Sequence, residues 1–93
     1  MKEIGKAIRL IRTLLGESAT DVCERAGISR AMLTEIEKGK KMPSLAMLTT
    51  IASALEMPVY NLALIGEYIA KNNLNEKRLR QTALRAVIAK VRT

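Results

Sequence analysis

The sequence predicts an all-α fold, a compact group of five helices followed by a sixth, C-terminal one. Three observations lead there. The chain has no Phe or Trp and only Tyr60 and Tyr68 as aromatics, so its core is left to Leu, Ile, Val, Ala and Met, a mixture that favours helix packing. Apolar residues recur at three- and four-residue spacing over most of the chain. Serines and glycines stand where those apolar stretches begin and end, as caps and stops. With 93 residues, 48% of them apolar, there is enough chain for one core and too little for a second of comparable size.

Each element follows from its own residues. Ile4, Ile8, Ile11 and Leu15 share one face of a first helix that ends near Gly16, which leaves Lys6, Arg9 and Arg12 mostly on other faces. Ser18 is placed to cap a second helix over about 19–26, with Asp21 in the capping-box position and Gly27 as the stop. Ile28 reads as buried, and Ser29 caps a third helix that runs through Lys38 until Gly39. Met42-Pro43-Ser44 breaks the chain, and Ser44 caps a fourth helix whose inward stripe is Leu45, Leu48, Ile51, Ala52 and Leu55, closed by Met57-Pro58. A fifth helix from Val59 to about Lys71 turns Leu62, Ile65 and Ile69 inward. The turn-prone Asn72-Asn73-Leu74-Asn75 segment then separates a domain over 1–71 from an extension over 72–93, with a last helix over 76–91.

The formal net charge is +7 and the pI about 10.0, which suits a polyanionic partner through phosphate neutralisation and counterion release. Up to Leu62 nine basic residues face seven acidic ones, whereas from Ala63 onward seven face two, so most of the excess lies in the C-terminal third. Cys23 is the single cysteine and His is absent, so neither an intrachain disulfide nor a cysteine-based zinc site can form. With no nucleophile–base pair, metal set or phosphate loop in view, the reading is of a protein that is not an enzyme and takes no cofactor. The charged stretch Met1 to Gly16 does not read as a signal peptide, and no apolar run reaches the roughly 18 residues that span a bilayer. A cytoplasmic protein without a membrane partner is expected.

Two short helices joined by a Gly-containing turn of about three residues make a helix-turn-helix, whose second helix presents its first turns to base edges in the DNA major groove. On that helix Arg30, Ala31, Thr34, Glu35 and Lys38 point outward while Leu33 and Ile36 pack inward, with Met32 between the two sets. Ile8 to Arg12, Ser18-Ala19-Thr20-Asp21-Val22, Ala26-Gly27-Ile28-Ser29-Arg30, Ile36-Glu37-Lys38-Gly39 and Pro43-Ser44-Leu45 together resemble the Cro and phage-repressor (XRE-type, lambda-repressor-like) DNA-binding domain. The resemblance covers about Ile4 to Leu62, roughly two-thirds of the chain.

That resemblance implies base contacts from Arg30, Ala31 and Thr34, and places Lys38, Lys40 and Lys41 near phosphates. Ser18, Thr20 and Ser29, at the starts of the second and third helices, complete the expected phosphate contacts. Arg30 is the first choice for reading, because its fork pairs bidentately with guanine O6 and N7, worth about 1 to 3 kcal/mol of discrimination. Thr34 suits a thymine methyl or a base donor. Glu35 either accepts from cytosine N4, which makes it a fourth base contact, or turns aside toward Lys38 or a neighbouring base, the orientation preferred here. The resemblance also implies that Arg12 pairs with Glu37 to fix helix orientation. Ala19 departs from the family pattern: it stands where a glutamine commonly bridges backbone and recognition helix, so the DNA clamp must come from elsewhere.

Plainer readings hold for other residues. Met32, Met42, Met47 and Met57 serve as core or interface filler, and Cys23 as a small buried side chain without redox chemistry. Tyr60 and Tyr68 do not make the aromatic platform of single-strand or RNA binders, which leaves duplex DNA as the better partner. In the extension, Leu84, Val87, Ile88 and Val91 form a helical stripe flanked by Lys77, Arg78, Arg80, Arg85, Lys90 and Arg92. Packing on its own core, mating with a second subunit and lying along phosphates are all open to it, with dimerisation favoured. The leading expectation is a homodimeric repressor or control protein on an inverted-repeat operator. An antitoxin that also binds a toxin, and an adaptor that reuses the fold to bind an acidic partner or an anionic membrane surface, are the alternatives.

Overall fold

The computed structural model describes residues 3–72, which form five helices in order: α1 (Ile4–Leu14), α2 (Ala19–Ala26), α3 (Arg30–Glu37), α4 (Leu45–Ala54) and α5 (Val59–Asn72). The expected last helix, with Leu84, Val87, Ile88 and Val91, lies outside the described residues, as does all but the first residue of the expected extension.

Three helices begin on the serines that mark them in the sequence. The hydroxyls of Ser18, Ser29 and Ser44 accept from the backbone N–H of Asp21, Met32 and Met47 at 3.0, 3.0 and 3.1 Å, and each thereby satisfies one orphan donor of a first turn. The first four helices also end alike, on a residue of positive φ whose N–H and that of its successor turn back onto the last carbonyls. In α1, α2 and α3 that residue is Gly16, Gly27 or Gly39; in α4 it is Glu56, at φ 59°. Pro58 opens α5, where its carbonyl accepts from Asn61 and Leu62.

The core is one cluster at the centre of the five helices. Ile4, Ile8 and Ile11 are buried as their spacing predicts, and Ala7 and Leu10 join them, so α1 buries a face broader than its isoleucines alone. Against it lie Val22 of α2, Leu33 and Ile36 of α3, Leu48 and Ile51 of α4, and Leu62, Ile65 and Ile69 of α5. α1 packs on α3 and α5, and α2 on α3 and α4, so the short α3 is held from two sides. α4 and α5 turn 96° from each other at the Leu55–Pro58 break, and no single helix among the described residues is long and apolar enough to cross a membrane.

One expectation is corrected by the structure. Leu45, placed inward by periodicity, is 69% exposed. Its angular position agrees with the stripe, but it is the first residue of α4, at the very end of that face. Of the methionines read as core or interface filler, Met57 is buried and Met32 and Met47 are half-buried against the core, whereas Met42 is 62% exposed in the loop before Pro43 and takes no part in the core. Cys23 is buried as expected.

Candidate nucleic-acid interface

The interface is built on the α2–turn–α3 unit. Gly27, at φ 71°, lets the chain leave α2, and its N–H and that of Ile28 both return to the Cys23 carbonyl, at 2.8 and 3.1 Å. Ile28 is half-buried against the core and pins the turn, and Ser29 starts α3. Leu33 and Ile36 are each 1% exposed and fix the rotation of α3 about its axis. That rotation turns Arg30, Ala31, Thr34 and Glu35 to solvent along one face, with Lys38 beyond them at the helix end. All are exposed, as are Ser18, Thr20, Ser29, Lys40 and Lys41.

The orientation of α3 relative to α1 is set by Arg12. Its Nε and Nη2 donate to the two carboxylate oxygens of Glu37 at 2.9 and 3.1 Å, and its Nη1 donates to the Glu17 carbonyl at 3.1 Å. The resemblance implied that pair; the third bond, which ties in the α1–α2 turn, gave no sign in the sequence. Glu17 in turn accepts from Arg25 at 2.8 Å, so the turn is anchored to the far end of α2 as well. A further device went unread in the sequence. A Cβ placed on Gly5 would fall on the Ile36 carbonyl oxygen, so the backbones of α1 and α3 approach more closely than any side chain permits. A glycine inside a helix, where propensity disfavours it, was the available signal.

Arg30 is the first residue of α3, and its Nη1 donates to the Thr20 hydroxyl of α2 at 2.8 Å. The structure thus joins two predicted site residues that stand ten positions apart. Glu35 does not pair with Lys38: among the described residues it has no ion pair, and both side chains are exposed, where such a contact gains little. Its carboxylate remains on the open face.

Lys38, Lys40 and Lys41 follow the C-terminal end of α3, where the helix dipole favours cations. Lys38 and Lys41 border a cleft of about 340 Å³ together with Lys6 of α1 and Met42. Cys23 is buried on α2, against the start of α3. Burial pushes its thiol pKa up, with Glu37 adding to the effect and Arg30 and Arg12 opposing it, and its Sγ donates to the Ser29 carbonyl at 3.6 Å. It is a packing residue with a weak hydrogen bond. Among the described residues no group of three or more His, Cys, Asp or Glu side chains is placed to hold a metal.

Comparison with known proteins gives a consistent answer. The helix-turn-helix family profile matches residues 8–60, more than half of the chain. The transcriptional regulator ClgR of Mycobacterium tuberculosis, in strains CDC 1551 and H37Rv, is 36% identical over 56 residues, which cover 60% of this chain and 50% of ClgR. The chain thus spans about half the length of ClgR. YazB of Bacillus subtilis strain 168, described as an uncharacterized HTH-type transcriptional regulator, is 36% identical over 59 residues, 63% of this chain and 86% of YazB.

Proposed function

The chain belongs to the Cro and phage-repressor type of helix-turn-helix family, a family of non-enzymatic DNA-binding regulators, and on that premise we propose that it is a sequence-specific transcriptional regulator acting as a homodimer on an inverted-repeat operator. The observation that carries this reading is the rotation of α3, with Leu33 and Ile36 in the core and Arg30, Ala31, Thr34 and Glu35 on the open face. A helix so presented fits the major groove, and its first turns carry the donors and acceptors that a base edge requires. In this reading those four residues face bases. Ser18, Thr20, Ser29, Lys38, Lys40 and Lys41 face phosphates, which position the domain without reading sequence.

The geometry of the major groove favours a dimer. One recognition helix covers only a few base pairs, and two-fold dimers read half-sites about 34 Å apart. The stripe Leu84, Val87, Ile88 and Val91 supplies apolar side chains for that pairing, and α5 adds Tyr60, Leu64 and Tyr68 at four-residue spacing, which are 70%, 50% and 50% exposed. Steric exclusion of polymerase from an overlapping promoter is then sufficient for repression.

Selection of bound duplexes from a randomised pool, with the wild type and Arg30→Ala in parallel at near-physiological salt, tests the proposal. The expected product is an inverted repeat in which one position of each half-site relaxes in the variant, a loss of about 1 to 3 kcal/mol of discrimination. A salt-sensitive background with no enriched sequence overturns it, and redirects attention to a protein partner for the basic C-terminal segment.

A further inference from the structure

We propose that Thr20 is the positioning residue for Arg30, and that its hydroxyl couples the grip on the DNA backbone to the reading of a base. The inference rests on Arg30 being a base reader. It is carried by the 2.8 Å bond from Arg30 Nη1 to Thr20 Oγ1, which crosses from the second residue of α2 to the first residue of α3.

Hydrogen-bond capacity makes the coupling possible. A guanidinium has five N–H donors in a rigid plane, so one bond to Thr20 leaves four and fixes the plane in which they lie. The hydroxyl, having accepted from Arg30, still holds one proton to donate. Thr20 is exposed in the first turn of α2, where the unsatisfied N–H groups and the dipole favour a phosphate oxygen as the acceptor of that proton. The neighbouring cap, Ser18, has its hydroxyl engaged by the Asp21 N–H, and Ala19 has no polar atom to offer. Thr20 is therefore the side chain at this helix start that touches the reader.

An arginine at the first position of an exposed helix otherwise samples many rotamers, and ordering it on the DNA costs conformational entropy. The bond to Thr20, whose β-branched side chain is stiff at χ1, holds the fork before the DNA arrives. A shift of the phosphate backbone against Thr20 is then transmitted to the angle at which Arg30 meets its base, so that backbone shape and base identity are read together.

The test uses the full chain and the duplex enriched by the wild type. The position that Arg30 reads is first located by its relaxation in Arg30→Ala, and competitive binding then compares the cognate base with substitutions there. Thr20→Val keeps the shape and removes the hydroxyl; the expected result is a drop of about fivefold in discrimination at that position, since the pair is exposed. Thr20→Ser retains discrimination, and in the Arg30→Ala background Thr20→Val leaves base preference unaltered. Thermal melts confirm that each variant is folded. If Thr20→Val weakens all duplexes equally and preserves the preference at that position, Thr20 is a plain phosphate contact and the inference is overturned. If Arg30→Ala relaxes no position, the operator reading itself fails, and the inference with it.

Discussion

Arg12 of α1 and Glu37 of α3 face each other through two parallel hydrogen bonds, at 2.9 and 3.1 Å, with side chains only 14% and 6% exposed. The pair lies where α3 leaves the core, so it sets the tilt of the recognition helix without reaching the open face. Removal of one partner strands a charge that solvent barely reaches. Glu37→Ala is expected to lower the unfolding free energy by about 3 kcal/mol in urea titrations. Among duplexes the folded variant keeps the ranking of the wild type, because no base-facing residue is altered. A changed ranking in folded Glu37→Ala counts against this division of labour.

Gly5 gives a test with an unusual sign. Glycine to alanine in a helix interior normally stabilises by up to about 1 kcal/mol. Here the added methyl meets the Ile36 carbonyl, which is backbone and cannot rotate away, so α1 and α3 must separate. Gly5→Ala is expected to destabilise by about 2 kcal/mol, the usual cost of overpacking. A higher melting temperature would show that the two helices are not held at this separation.

What the sequence disclosed and what it withheld divide by the range of the interaction. The helix starts were legible because a serine cap is a local matter: Ser18, Ser29 and Ser44 each bond three residues ahead. The rotation of α3 was legible because the large apolar residues Leu33 and Ile36 stand at helical spacing, with Met32 beside them and Arg30, Thr34 and Glu35 opposite. Leu45 was misread because periodicity gives the face of a residue and says nothing of whether another element extends over it. The Thr20–Arg30 bond depends on how two helices meet across a turn, which no spacing rule within either helix encodes. Glu35 and Lys38 satisfy the i, i+3 rule, and Lys38 keeps helical backbone at the C-cap, yet the two do not pair, because the spacing permits a contact between exposed side chains without enforcing it.

Glu56 is the exception among the helix ends. Its N–H bonds the Ser53 carbonyl at 2.9 Å and that of Met57 bonds Ala52 at 3.0 Å, which is the termination that glycine supplies in the other three cases. An L side chain at φ 59° costs about 1 kcal/mol or more, partly offset by the lower entropy of a non-glycine in the unfolded chain. Glu56→Gly is therefore expected to raise stability by about 0.5 kcal/mol. A clear drop in the melting temperature would show that contacts of the Glu56 side chain outweigh the strain.

Cys23 links stability to pH in the alkaline range. Burial raises its thiol pKa above the ordinary value of 9.0, so the folded state keeps its proton longer than the unfolded chain. The contribution is fully present below pH 9.0 and is lost as the pH rises through the folded value, because only the unfolded thiol ionises in that window. The difference in unfolding free energy between wild type and Cys23→Ala should be flat below that range and shrink above it. A difference that is constant to high pH would mean that the thiol is not shielded. Alkylation of the native protein near neutral pH is expected to be slow for the same reason.

Lys40 and Lys41 separate positioning from reading. They follow α3 on the exposed side of the domain, where a cation neutralises phosphate without meeting a base edge. Each contact of that kind releases counterions, so its loss reduces the slope of log affinity against log salt by about 0.9. Lys41→Ala and Lys40→Ala are each expected to flatten the slope by roughly that amount on every duplex, enriched or random. Arg30→Ala should act the other way round, with a large loss on the enriched duplex and little on random DNA. Titrations at several salt concentrations with both duplexes distinguish the two patterns. A lysine variant that changes sequence preference without altering the salt slope would move that residue from the backbone to the bases, and would place the loop after α3 in the groove.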